Sequence, residues 1–257
     1  MSNVPEVIIK SVLNYDNWGD SVNPVFVELV SQKKPQVASV LEDLNDENYL
    51  IIGSILNHAD DKSVVWGAGF ISEEKVLKRK PSKILAVRGP LTRKKLLDQG
   101  VDCPEIYGDP VLLLPRFYNP KIEKRFKLGI VPHEVDQDNE WLKKIKDEEI
   151  KIINIKQKGL KFVDEVLECE KIASSSLHGL IVSDAYNIPS TWLEFSDKVI
   201  GKGFKFRDYF ASVGRKDKKP LRITDTITVS DIMNSFKDYK IKIDLDKLWS
   251  ARPEFIK

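Results

Sequence analysis

Short apolar runs alternate with stretches of helical periodicity along most of the chain. Residues 6–13 (EVIIKSVL) read as a strand that enters the loop 14–24 (NYDNWGDSVNP), and a helix is predicted from about Val22 to Gln32. Residues 48–54 (NYLIIGS) and 63–69 (SVVWGAG) are uninterrupted apolar runs, the pattern of strands buried on both faces. Residues 82–90 (SKILAVRGP) form another strand, stopped by Gly89-Pro90, and 91–100 (LTRKKLLDQG) a helix closed by Gly100. Residues 106–115 (IYGDPVLLLP) read as a turn and a short helix.

After residues 116–125 (RFYNPKIEKR) the grammar restarts. Strands are predicted at 126–133, 150–156, 171–176 and 189–195, with helices at 139–147, 161–170 and 177–187 between them. Such alternation implies parallel sheets with right-handed crossovers. The predicted fold class is therefore α/β: two Rossmann-like doubly wound domains, residues 1–118 and 119–257, with an interdomain cleft. The tail adds C-terminal helices at 230–239 and around 245–251, whose Ile232, Met233, Phe236, Leu248 and Trp249 read as packing residues.

In doubly wound sheets ligands sit beyond the C-terminal ends of the strands. Five segments of chemical interest end strands in this way: 14–24, 66–70 (WGAGF), 86–90 (AVRGP), 130–136 (IVPHEVD) and 172–179 (IASSSLHG). In the last, serine hydroxyls and the N–H groups of a helix start at Leu177, His178 and Gly179 make an anion site, with Ser175 or Ser176 as the cap. The same residues also fit a plain helix cap. A helix N-terminus disfavours a charged imidazole, so His178 there is expected to be neutral until an anion arrives. Arg88 at a strand end can clamp a carboxylate or phosphate in bidentate fashion, or form a surface ion pair. Asp109, in Gly-Asp-Pro, fits a turn or cap. Asn17, Asp20 and Asn23 beside Tyr15 and Trp18 suit a sugar, or an ordinary turn that caps a helix. His133 and Glu134 at a strand end are general acid or base candidates. WGAG lacks the rest of a dinucleotide fingerprint.

Composition narrows the picture. In 257 residues, 42% hydrophobic and 31% charged, no apolar run approaches the ~20 residues of a membrane span. The first residues lack the features of a secretory signal, so a cytoplasmic protein is expected. Two cysteines, Cys103 and Cys169, support neither a disulfide framework nor a zinc site. A net charge of +2 gives no argument for nucleic acid. Residues 198–220 nevertheless hold eight basic residues against two acids, a net +6. That window fits a solvated loop, or a patch facing an anionic substrate or the anionic inner face of a membrane, to which the protein would bind peripherally.

From residue 14 to residue 214 the segments NWGDSVNP, YLIIGSIL, VWGAGF, AVRGPLTR, YGDPVLLLP, GIVPHEVD, SSSLHGLIVSDAYNIPSTWLEF and GFKFRDYFASVG occur in an order that resembles the polysaccharide pyruvyltransferase family. The resemblance implies a two-domain, glycosyltransferase B-like fold. It also implies transfer of the enolpyruvyl unit of phosphoenolpyruvate onto a sugar of a cell-surface polysaccharide precursor, forming a pyruvate ketal and releasing phosphate. The acceptor saccharide would be lipid-linked or nucleotide-linked, and no metal or cofactor beyond the donor is implied. By resemblance the donor site uses Arg88 and the block Ser176, Leu177, His178. Some members carry arginine at the position of Ser176, which makes Lys202 or Lys205 the expected replacement cation. His178 is the expected phosphate ligand and proton donor. Asp20, Glu134 and His133 are candidates for work on the acceptor hydroxyls, and Asn17, Trp18 and Asn23 for holding them. Two other readings remain open: a nucleotide-sugar glycosyltransferase on the same architecture, and a catalytically silent binding module.

Overall fold

The computed structural model describes residues 7–13 and 17–256; Tyr15 lies outside them. The first half runs β1 (Ile8–Ser11), α1 (Trp18–Ser31), β2 (Gln36–Ser39), β3 (Asn48–Leu50), β4 (Ser63–Trp66), β5 (Lys83–Ala86) and α2 (Pro90–Asp98). The second runs β6 (Leu128–Val131), α3 (Glu140–Lys143), β7 (Ile150–Ile152), α4 (Lys161–Leu167), β8 (Ile172–Ser174), α5 (Leu177–Ala185), β9 (Ser190–Glu194), α6 (Phe204–Ser212) and β10 (Leu221–Arg222). The tail adds α7 (Val229–Asn234) and α8 (Leu245–Ser250).

Each half holds a five-stranded parallel sheet, ordered β2-β1-β3-β4-β5 and β10-β9-β8-β6-β7. Numbered within its own half, each sheet has the same doubly wound order, 2-1-3-4-5. Such an order reverses between its first and third strands, and the crevice there is where ligands bind. The predicted α/β class with two parallel sheets is thus observed.

Three elements differ from the expectation for physical reasons. Helix α1 begins one turn before Val22, at Trp18, with Asn17 as its cap accepting from the Gly19 N–H at 3.0 Å. Pro24 therefore lies inside the helix and cannot donate to the Asp20 carbonyl. That carbonyl instead accepts from Ser11 Oγ at 2.8 Å, which keeps the early start tolerable. Strand β2 is short and mostly polar, so it carries no apolar run. Helix α6 (FKFRDYFAS) buries Phe204, Lys205, Phe206, Asp208, Tyr209 and Phe210, leaving no polar face to reveal a helical period.

The halves share one core. Phe26, Trp66 and Leu113 of the first join Ile153, Phe162, Leu177 and Tyr209 of the second in a single buried cluster. The Trp18 indole N–H donates to the Gly159 carbonyl at 2.7 Å, and its ring packs on Phe162 at 5.0 Å. The tail returns to the first half: the Trp66 indole N–H reaches the Leu248 carbonyl at 3.1 Å, and Arg116 pairs with Asp246 at 2.7 Å. No described helix is long and apolar enough to cross a membrane.

Candidate active site

The two switch points face a common cavity of about 470 Å³. From the first sheet come Asn17 and Asp20 after β1, and Gly53 and Ser54 after β3. From the second come His133 and Glu134 after β6, and Ser176, Leu177 and His178 after β8. Lys205 of α6 completes this inner group.

The three serines divide their work. Ser174 Oγ donates toward the carbonyls of Val131 and Ser176 and accepts from the Ser176 N–H, folding the turn. Ser175 Oγ accepts from the His133 N–H at 2.8 Å and so ties the two strand ends together. Ser176 is the N-cap residue of α5, but its side chain makes no cap bond and it faces the cavity. Gly179 lies behind, where a Cβ would stand 2.3 Å from Ser174 Oγ; it packs the helix start onto the sheet.

His178 occupies the first turn of α5 and is 9% exposed. Its ring lies against Gly19 so closely that a Cβ there would fall 1.9 Å from Nδ1, so the Trp18-Gly19 turn and the imidazole are fitted to each other. His178 Nε2 points at Asp109 Oδ2, 3.8 Å away. Burial, then Lys205 and Arg88, lower the ring pKa to about 3. The neutral state expected of the helix start is found, but desolvation and two cations are its leading causes. Burial and then Lys205 likewise lower His133 to about 3.

Lys205 is the cation of the inner cavity. It is 9% exposed, and its Nζ lies 3.4 Å from His133 Nε2. Burial and the Arg88 charge lower its pKa to about 8, while Glu134 and Asp20 work the other way. Lys202, the other expected replacement cation, is exposed and does not line the cavity. Burial, helped by Glu134, raises Asp20 to about 7. Glu134 Oε2 is buried without a hydrogen-bond partner.

Besides Lys202, three more expected site residues, Arg88, Trp18 and Asn23, stand outside the cavity lining. Arg88 is 1% exposed and does not line the cavity. Its guanidinium donates to Asp208 Oδ2 at 3.0 Å, Ser54 Oγ at 2.7 Å and the Phe70 carbonyl at 2.6 Å. Asp208 also accepts from the N–H and hydroxyl of Thr92, so Arg88 is a buried strut between the halves, in place of a surface ion pair or a clamp open to solvent. Trp18 is fully buried and offers no stacking face to a sugar. Asn23 is 1% exposed; its amide donates to the Ile52 carbonyl and accepts from the Ile52 N–H, pinning α1 to the strand end after β3.

The basic window 198–220 does not form one face. Lys198 stands exposed at the cavity mouth and Lys205 points inward. Arg215 fits neither the solvated loop nor the anion-facing patch: it is 6% exposed and bonded to Asp184, Ser190 and Tyr239. Ser54, Asn57, His58 and Lys75 also line the cavity, and none of them was among the expected site residues. They come from irregular loops whose course no periodicity reveals. Cys103 and Cys169 are buried free thiols.

The chemistry of this arrangement is that of an anion site beside two carboxyl groups, Asp20 and Glu134. A buried ammonium and a helix start face two carboxyl groups across one cavity, and the neutral imidazole between them can gain a proton when negative charge approaches.

Comparison with known proteins gives three findings. The model of the polysaccharide pyruvyl transferase family matches residues 39–197, which hold Arg88, His133, Glu134 and the Ser175–Gly179 block. The chain is 29% identical over 255 residues to the uncharacterized protein L143 of Acanthamoeba polyphaga mimivirus, covering 94% of this chain and 86% of that one. It is 28% identical over 174 residues to the succinoglycan biosynthesis protein ExoV of Rhizobium meliloti, covering 63% of this chain and 52% of that one. No solved structure matches the chain.

Proposed function

The chain belongs to the polysaccharide pyruvyl transferase family, and from that premise we propose that it moves the enolpyruvyl unit of phosphoenolpyruvate onto a sugar of a cell-surface polysaccharide precursor. The product is a pyruvate ketal and inorganic phosphate. The observation that carries this reading is the pairing of two switch points across one cavity. The second sheet supplies Lys205, His178 and the α5 N-terminus for a doubly anionic donor, and Asp20 faces them from the first.

In this mechanism the donor phosphate and carboxylate sit among Lys205 Nζ, the Ser176 hydroxyl and the N–H groups of Leu177 and His178. The arriving anion favours the charged form of His178. The imidazolium protonates the methylene carbon, leaving an oxocarbenium-like centre at the neighbouring carbon. A sugar hydroxyl attacks that centre and gives up its proton to Asp20 or Glu134, the carboxyl groups that line the cavity. Phosphate then leaves, with Lys205 and the helix start bearing its charge, and a second hydroxyl closes the ketal as its proton passes to the departing phosphate. Arg88 acts from behind the wall, through the hydrogen bond it gives to Ser54.

Finer points belong to the same proposal. The two halves act as glycosyltransferase B-like domains, residues 1–118 and 119–257, with Asn17 near the acceptor. The acceptor is a lipid-linked or nucleotide-linked saccharide, reached in the cytoplasm or at the inner membrane face, and turnover needs no metal. The test is phosphate release from phosphoenolpyruvate with candidate acceptors in the presence of a chelator. Acceptor-dependent release supports the reading. Binding of a nucleoside diphosphate sugar without phosphoenolpyruvate binding would make the chain a glycosyltransferase. Ligand binding with no turnover on any acceptor would make it a binding module.

A further inference from the structure

Asp109 opens the 3-10 turn Pro110–Arg116, and its Oδ1 accepts from the Val111 N–H at 3.0 Å. That bond accounts for one carboxyl oxygen. Oδ2 is buried without a hydrogen-bond partner, and so is His178 Nε2, the atom it faces at 3.8 Å. Buried polar atoms are rarely left in this state, because each has given up its hydrogen bonds to water without a replacement. Two such atoms facing each other, one on an acid and one on a base, are complementary. They need an approach of only about 1 Å to form a normal hydrogen bond.

The ring's orientation divides its two nitrogens. The His178 side chain keeps 11% of its surface while Nε2 has essentially none, so the surface it shows belongs to its other atoms. Nδ1 is the only other nitrogen through which the ring can exchange a proton with the cavity. We propose that Asp109 is the proton partner of His178: its carboxyl passes a proton to Nε2 when an anion enters the cavity, and so charges the ring from within the protein. This rests on the reading of His178 as the donor-side acid.

The proton balance closes. The Asp109 Oδ2–H bond breaks and the His178 Nε2–H bond forms, turning carboxylic acid and imidazole into carboxylate and imidazolium. The Nδ1–H bond then breaks as a C–H bond forms at the donor methylene, leaving the neutral ring in its Nε2–H form. The first acceptor hydroxyl proton goes to Asp20 or Glu134 and the second to the departing phosphate; solvent then returns a proton to Nδ1 as the Nε2 proton passes back to Asp109, which restores the starting forms. The charges around the pair fit this direction. Arg88 and Lys205 both lower the His178 pKa, and His133 stands close enough to feel the His178 charge. Burial raises Asp109 to about 7, against the hydrogen bond from Val111 and the Arg88 charge. Before an anion binds, the proton therefore resides on the carboxyl; an anion near the ring, and the carboxylate formed beside it, favour the ring.

Asp109→Asn keeps the cap oxygen for Val111 and removes only the transferable proton. The chain has three histidines, so nitrogen-15 labelling gives three ring systems, with His178 assigned from His178→Gln. In the ligand-free native protein the ring should move from the Nδ1–H to the Nε2–H tautomer as Asp109 ionises, through about pH 7. In Asp109→Asn it should not. The same change in the Asn variant, or none in the native protein, overturns the proposal. In turnover with phosphoenolpyruvate, Asp109→Asn should lower kcat by roughly 10²-fold, the scale of lost acid–base help, and leave donor KM within about threefold. A change in KM alone would make Asp109 a structural residue. If phosphoenolpyruvate is no substrate of the native protein, the pyruvyl-transfer reading falls, and the tautomer titration still decides the Asp109–His178 pair.

Discussion

The two sheets share one strand order but build the cavity from different material. In the second half every crossover carries a helix, and His133, Glu134, Ser176, His178 and Lys205 sit at or just past the ends of regular elements. In the first half three consecutive crossovers, β2 to β5, carry no α-helix. Those connections supply Leu41, Ser54, Asn57, His58, Ile71 and Lys75 to the same cavity. Sites on helices and strands are held more closely than sites on loops. Under the proposed reaction the donor would be held by the helical half, and the acceptor would meet the loops.

Perturbing the two sides separately should give different signatures. The largest effect belongs to neither side but to the strut between them. Arg88→Ala leaves Asp208 buried without its partner and should cost about 3–5 kcal/mol of stability in urea unfolding. An Arg88→Ala protein of native stability that had lost donor binding would return Arg88 to the site as a direct clamp. On the helical side, His178→Asn should keep a hydrogen bond but lose the proton, lowering turnover by roughly 10²-fold with the fold unchanged by circular dichroism. Near-normal turnover would reduce the imidazole to a packing residue against Gly19.

Acid stability sharpens the contrast further. His133 is neutral in the fold with a pKa near 3, while an unfolded histidine titrates near 6.5. A depressed histidine contributes stability above the unfolded value and loses it as pH falls toward the folded one. Asp20 and Asp109, raised to about 7, act with the opposite sign: they favour the fold as pH falls from 7. Comparing His133→Gln with native protein cancels those acids. The variant should gain about 2 kcal/mol relative to native on going from pH 7 to about pH 5. Equal pH slopes would mean that the ring is charged in the fold.

Smaller effects separate donor from acceptor. Lys205→Met should raise donor KM by about tenfold, roughly 1.4 kcal/mol, and leave acceptor KM alone. His58→Ala, in the loop-built wall, should change acceptor KM by about two- to fivefold and donor KM not at all. Effects on the same substrate from both variants would dissolve the division of labour.

Much of this was legible in the sequence where local pattern and packing agree. The apolar runs of β4 and β6 and the strand–turn–helix at 172–179 carry the alternation that places two parallel sheets and their strand ends. The charge at Arg88 was legible too, but not its partner, because Asp208 lies 120 residues away on a helix that the sequence hides. Trp18 looked like a sugar platform because burial against Phe162 is a tertiary fact with no local signal. Asp109 was legible only as a cap. Its second oxygen gains meaning from a histidine that the fold, and not the chain, brings near it. The loop residues Asn57, His58 and Lys75 have no periodicity that could have assigned them.

The most direct measurement is a crystal structure with phosphoenolpyruvate bound. Its phosphorus should lie at the N-terminus of α5, beside Lys205 Nζ and the Ser176 hydroxyl, with the methylene carbon within reach of His178 Nδ1 and facing Asp20. Phosphoenolpyruvate seated instead among His58, Lys75 and the loops of the first half, with the helix start untouched, would contradict it.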